Sequence, residues 1–242
     1  MAKTTPRLHA ENQLFLAAEF VLPKDQGHYL ANVLRMNPGD CVRVFNSRDG
    51  EWLSYITEVG KKSVQLKCEK NVAAAIAPPD IDYLFAPLKH QRLDYLVQKA
   101  TELGARRLRP VMTARTIADR INLDRMRANV IEAAEQCNLV YVPDVLEPQN
   151  LDAALREWNA VRTLIFCDET AVVSDPLQTL SGIKLPAAIV VGPEGGFTDD
   201  ERRHLKSLPF VKAVSLGPRI MRADTAAVAI LTLVQAAIGD WR

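Results

Sequence analysis

A mainly parallel α/β domain, preceded by a smaller β-rich domain, is predicted by three observations on this 242-residue sequence. The N-terminal stretch holds short strand-like runs broken by turn residues. From residue 81 onward, apolar strand-like segments alternate with segments of helical spacing. Two glycine-bearing loops fall where such strands run out, the end at which parallel α/β sheets bind ligands.

Residues 41–45, 52–59 and 63–68 are rich in β-branched or aromatic side chains and read as strands. Turn signals at Ser47-Arg48-Asp49-Gly50 and Gly60-Lys61-Lys62 separate them. A helix is predicted over residues 25–36, capped by Asp25 and ended by Asn37-Pro38-Gly39. Several strands with one helix suggest a small barrel over residues 1–72. Residues 73–80, alanine-rich and holding Pro78-Pro79, read as a linker.

In the domain expected over 81–242, residues 81–86 form a short apolar strand. Helical spacing through Leu93, Leu96, Val97 and Ala100 predicts a helix over 91–103, which Gly104 can cap. A strand over 108–112, a helix over 122–137 and buried-type strands over 163–167 and 187–191 follow. Thr198 and Glu201 have the spacing of a capping box for the next helix. A strand over 211–216, a glycine-containing loop and a final helix from about 223 to 238 complete the chain.

Composition is that of a globular protein, 48% hydrophobic and 24% charged. The longest apolar stretch, residues 226–238, is too short for a membrane span, and the N-terminus lacks the apolar core of a signal peptide. Cys41, Cys68, Cys137 and Cys167 form no CxxC pair, so reduced thiols in the cytoplasm are expected. His9, His28, His90 and His204 have no metal-type spacing, and no metal is expected. Net charge is +1, yet residues 84–130 hold ten Lys or Arg against four Asp or Glu. Such a block suits a polyanionic partner, with Arg106, Arg107, Arg109 and Arg115 gathered about a strand end. A solvated helical face is the competing reading.

Gly192-Pro193-Glu194-Gly195-Gly196 follows a buried strand and opens a helix, which favours a ligand loop over a plain turn. It is neither GxGxxG nor a P-loop. In the second loop, residues 216–226, Arg219 and Arg222 precede a helix that Asp224 or Thr225 could cap. Arginines there could hold phosphate or stabilise an oxyanion, or could be ordinary surface charges.

Together these segments resemble the RsmE family, the 16S rRNA uridine-N3 methyltransferases of the SPOUT class. The two loops look like that family's C-terminal signatures. His28-Tyr29-Leu30 with Val33-Leu34-Arg35 and Gly39-Asp40 resembles its N-terminal domain. Lys89 with Lys99-Ala100-Thr101-Glu102-Leu103-Gly104 resembles the first catalytic-domain helix. Glu132-Ala133-Ala134-Glu135-Gln136-Cys137 with Val142-Pro143 resembles a third block.

The resemblance implies a PUA-like RNA-binding domain, a SPOUT domain with a trefoil knot, and a homodimer. It also implies S-adenosylmethionine as cofactor and, as substrate, the uridine at position 1498 of 16S rRNA in the assembled small subunit. Gly192, Pro193, Glu194, Gly195, Gly196, Leu216, Gly217, Ile220 and Met221 are expected around the cofactor. Arg219 and Arg222 are candidates for charge stabilisation, and Glu194 or Asp224 for accepting a proton. Arg7, Arg35, Lys89, Arg92 and Arg115 are expected to contact RNA. Two positions depart from the family pattern: Asp224 stands where Glu is usual, and Leu139 where Arg is usual. An RNA-binding protein without catalysis and a tRNA methyltransferase of the same class are the alternatives.

Overall fold

The computed structural model describes residues 5–61, 63–89, 91–118, 120–172 and 175–241. Lys62 of the expected turn and His90 lie outside these. The chain divides into two compact units, the first comprising residues 1–77 and 134–142.

In the first unit, β1 (Arg7–His9), β2 (Glu19–Val21), β3 (Cys41–Asn46), β4 (Gly50–Val59) and β5 (Val64–Ala73) form one sheet, ordered β1-β3-β4-β5-β2. Strands β1 and β3 run parallel, and the other pairs are antiparallel. Alternate residues Val42 and Val44, Leu66 and Cys68 point into the core beside Leu30 and Ile56. The helix differs from expectation. α1 (Lys24–His28) is preceded by Pro23 as its N-cap residue, so Asp25 lies in the first turn and is not the cap. The helix continues as a π-helical turn, Tyr29–Val33. Arg35 then takes a left-handed conformation, φ 54°, and the Met36 N–H reaches back to the Leu30 carbonyl at 3.0 Å.

Arg7 also differs from expectation. Its guanidinium lies 3.6 Å from the centre of the Phe45 ring, and it donates to Glu51 at 3.1 Å. It further donates to the carbonyls of Ala134 at 2.6 Å and Leu139 at 2.7 Å. The side chain is 6% exposed, so Arg7, expected from sequence as an RNA contact, is engaged here as an internal tie. Burial lowers its pKa and Glu51 opposes that; an arginine remains cationic regardless.

The second unit, residues 78–133 and 143–242, holds a parallel sheet. Its strands are β6 (Ile81–Phe85), β7 (Arg107–Met112), β8 (Asp144–Val145), β9 (Gln149–Asn150), β10 (Thr163–Cys167), β11 (Ala187–Val191) and β12 (Val211–Val214). The order is β12-β10-β11-β6-β7-β8, with β9 also on β7. The helices are α2 (Gln91–Glu102), α3 (Leu123–Gln136), α4 (Leu151–Arg156), α5 (Pro176–Ser181), α6 (Asp199–Ser207) and α7 (Ala223–Ile238). Strands β6 and β11 are buried at every residue, as a sheet covered on both faces requires. Helix α7 packs on α2, α5 and β11. Its buried Gln235 donates to the Leu103 carbonyl at 2.8 Å, beside Gly104, whose φ of +74° ends α2.

Because β12, β10 and β11 are neighbours, the three loops leaving their carboxyl ends emerge side by side. Of the four arginines expected about a phosphate-contacting strand end, Arg106, Arg107 and Arg109 lie toward the other end of the sheet, whereas Arg115 follows β7 at its carboxyl end. Arg107 and Arg109 hold Asp82, which is 2% exposed, at 2.5 and 3.3 Å. Arg107, Arg162 and Arg106 surround Asp80. These arginines serve buried or half-buried carboxylates contributed by β6 and the residue before it. Among the described residues no helix is long and apolar enough to cross a membrane.

Candidate functional site

At the carboxyl ends of β10, β11 and β12 the second unit forms a cleft of about 530 Å³. Its first wall is the loop after β11. A Cβ on Gly192 would lie 2.6 Å from the Phe197 ring. That ring is buried edge-on against Phe166, with centroids 5.2 Å apart. The first glycine therefore lets the loop close over an aromatic plug. Gly196, at φ +66°, passes close to Glu169. Thr198 and Glu201 form the expected capping box. The other Glu201 oxygen accepts the Ala114 N–H at 2.8 Å, tying in the segment after β7.

Two arginines fix this loop from outside. Arg115 donates to the Gly195 carbonyl at 2.9 Å. Arg202 donates to the Phe197 carbonyl at 3.2 Å and to Asp168 at 3.0 Å. Burial lowers the Arg202 pKa, but Glu169 and Asp168 outweigh it and the net shift is upward. A loop held at its carbonyls needs little reorganisation when a ligand arrives.

The second wall is the loop after β12. Gly217 has φ +102°, and no atom lies within 4 Å of where its Cβ would be. Ile220 is 88% exposed and lines the cleft beside Met221. Arg219 and Arg222 also line it, and among the described residues neither guanidinium has a hydrogen bond or ion pair. Arg222 is the N-cap residue of α7, so neither Asp224 nor Thr225 caps that helix. Asp224 sits in the first turn, its carboxylate accepting the Thr225 N–H at 2.9 Å.

Cys167, Asp168 and Glu169, at the end of β10, form the third wall. Burial alone would raise the Asp168 pKa. Lys206 and the Thr170 N–H and hydroxyl outweigh this and hold it below the usual carboxylate range. Burial pushes the Cys167 thiol up to about 12. Behind the wall the Tyr83 hydroxyl is buried without a hydrogen-bond partner among the described residues. Its pKa rises well above the usual value through burial first, then through the charges of Cys167 and Asp224. This third loop holds no glycine and so carries no signal in the sequence, although it leaves a buried strand at the same rim.

All residues expected around the cofactor line this cleft, together with Arg219, Arg222 and Arg92. Arg92 is ion-paired with Glu194. Arg115 touches the glycine loop from outside, and Lys89 lines a neighbouring cleft. Arg7 and Arg35 belong to the first unit and not to this site.

A family profile described as an RNA methyltransferase domain matches residues 76–235. A second, described as an RNA methyltransferase PUA domain, matches residues 22–69. A ribosomal RNA small subunit methyltransferase E from Synechocystis is 32% identical over 95% of this chain and 77% of its own. The Rickettsia conorii protein of the same name is 28% identical over 95% and 94%. In structure, the Neisseria gonorrhoeae enzyme of that name, solved bound to S-adenosyl methionine, superposes with a TM-score of 0.88 at 26% identity, covering 99% of this chain and 100% of its own. A Legionella pneumophila methyltransferase in complex with the same cofactor gives 0.84 at 28%, covering 98% and 99%. The larger unit is thus a SPOUT, or α/β-knot, methyltransferase domain and the smaller is PUA-like. This chain belongs to the ribosomal RNA small subunit methyltransferase E family.

Proposed function

We propose that this protein transfers the methyl group of S-adenosylmethionine to N3 of a uridine in 16S rRNA, at position 1498. The observation that carries the reading is the cleft itself. Two glycine-bearing loops and a third loop close around a space within the ~300–1,000 Å³ range typical of small-ligand sites, and two arginines without a partner among the described residues stand at its side.

The residues present fit the cofactor. Backbone polar groups of Gly192–Gly196 and of Leu216 and Gly217 suit its polar edges. Ile220, exposed, and Met221, half-buried, offer apolar surface for a base. When bound, the cofactor supplies a methyl group made electrophilic by its sulfonium. The chain has then to place uridine N3 in line and manage its proton. As that proton leaves, negative charge spreads to O2 and O4 of the base. Arg219 and Arg222, free of side-chain partners among the described residues, are assigned to stabilising it. Glu194, already engaged by Arg92, is better placed to orient Arg92 than to accept the proton.

Residues 1–72 are assigned to RNA binding, 73–80 to a linker and 81–242 to catalysis, apart from 134–142, which pack into the first unit, in a cytoplasmic homodimer acting on the assembled small subunit. Single-turnover methylation of small subunits under saturating cofactor tests the roles. Arg222→Ala should slow the step by about 10²-fold or more. Glu194→Gln, which can still hydrogen-bond Arg92, should stay within about tenfold. A wild-type rate in Arg222→Ala removes that residue from the chemistry. Labelled S-adenosylmethionine offered with total RNA should label 16S rRNA, whereas label in tRNA would replace this reading.

A further inference from the structure

The catalytic unit carries a second cleft that the methyl-transfer reading does not use. Its volume is about 1060 Å³, and it lies at the carboxyl ends of β6 and β7, on the same rim as the cofactor cleft. Its apolar surface includes Leu93, Ile117 and Ile121; Ile117 is 54% exposed. The charged groups around this surface divide into two kinds. Arg125 is engaged by Asp94 at 2.5 Å, and Arg127 by Asp124 at 3.1 Å. Asp94 and Asp124, the acids of this wall among the described residues, are therefore already matched by arginine. Lys89 and Arg120 are exposed and line the cleft, and their side chains have no hydrogen bond or ion pair among the described residues.

The two clefts share a ridge. Arg92 lines the cofactor cleft while the next residue, Leu93, lines the second. Arg115 touches Gly195 of the first while Ile117 lines the second. A chain crossing this ridge from one cleft to the other would pass Arg92 and Arg115.

We propose that the second cleft is an RNA subsite, holding unpaired nucleotides next to the methylated one. Their bases lie on the aliphatic floor, and their phosphates meet Lys89 and Arg120. This rests on the reading of the protein as an RNA methyltransferase. Apolar floor with unmatched cations at its edge suits a single strand, which offers base faces and phosphates together. An acidic protein surface would find the apolar floor without a counterpart. The four-arginine cluster at the opposite end of the sheet is less suited, because those side chains hold Asp80 and Asp82.

The test measures binding and turnover separately. A single-stranded RNA carrying the target uridine is titrated onto the full chain at several salt concentrations, in the wild type and in the double variant Lys89→Ala with Arg120→Ala. Lys184→Ala, on the turn entering β11 at the far end of the sheet, is the control. The double variant should bind at least about tenfold more weakly. Its slope of log affinity against log salt should be smaller by about 1.4, for two phosphates at ~0.7 each. Affinity for S-adenosylmethionine should stay unchanged, and KM for RNA should rise more than kcat falls. An unchanged slope, or an equal loss in Lys184→Ala, overturns the subsite. So does a double variant that binds naked RNA normally and fails only on assembled subunits, which would assign the cleft to a ribosomal protein. A shift in sedimentation of the double variant would assign it to a second copy of the chain. Absence of methylation by the wild type would count against the enzymatic reading alone, since the binding titration still decides the cleft.

Discussion

Replacing Gly192 by alanine tests why the cofactor loop begins with glycine. No left-handed backbone is needed at this position, so strain in φ gives no objection to a side chain. Space does. The new Cβ would stand 2.6, 2.9 and 3.2 Å from three atoms of the Phe197 ring, where ordinary contact begins near 3.4 Å. The ring would have to move by nearly 1 Å, yet Phe166, Val190 and Leu205 pack in the same core. Overfilling such a site costs about 1–3 kcal/mol. At ~2–4 °C per kcal/mol for a chain of this size, the Tm should fall by about 2–12 °C. Moving Phe197 also drags its carbonyl, which Arg202 holds at 3.2 Å, so cofactor affinity should fall as well. Scanning calorimetry and titration calorimetry read the two effects. Phe197→Leu, which shortens the plug, should recover part of the loss, with a coupling of about 1 kcal/mol or more. Strict additivity, within about 0.5 kcal/mol, would refute the steric account.

Two further outcomes are expected. Arg115→Met should weaken S-adenosylmethionine by about tenfold through loss of the bond to the Gly195 carbonyl, as titration calorimetry would show. Unchanged cofactor affinity with weakened RNA binding would return Arg115 to the RNA-contacting role expected from sequence. Asp168 has a folded pKa depressed below 3.8. Its contribution to stability is therefore present above that value and lost as pH falls through the lower one. Asp168→Asn should flatten the decline of Tm on acidification below about pH 5, as fluorimetry across pH would record; parallel curves would sink the assignment.

What could be read from sequence was local or periodic. The strands Thr163–Cys167 and Ala187–Val191, the helix Ala223–Ile238 and the capping box at Thr198 match their expected bounds, because each carries its own pattern. The glycine loops were legible because strand, glycine and helix follow one another directly. Three-residue strands such as β1 and β2 are too short for alternation to register. Side-chain partnerships across long stretches of chain were equally hidden. Arg107 and Arg109 look like free cations until β6 brings Asp82 beside them. Arg7 looks like a surface arginine until Phe45 and the Leu139 carbonyl surround it. Glu194 looks like a spare carboxylate until α2 presents Arg92.

The ties from Arg7 to the carbonyls of Ala134 and Leu139 also set an order of events during synthesis. The first unit draws on residues 134–142 as well as on 1–77. A fragment cut at Ala77 would keep Arg7 and Glu51 but lack both carbonyl acceptors, leaving a buried guanidinium short of partners. On the ribosome, where domains ordinarily fold as they emerge, this N-terminal unit must wait. It reaches its full set of contacts only after residue 142 has cleared the exit tunnel, about 65 residues beyond the end of its first segment at Ala77.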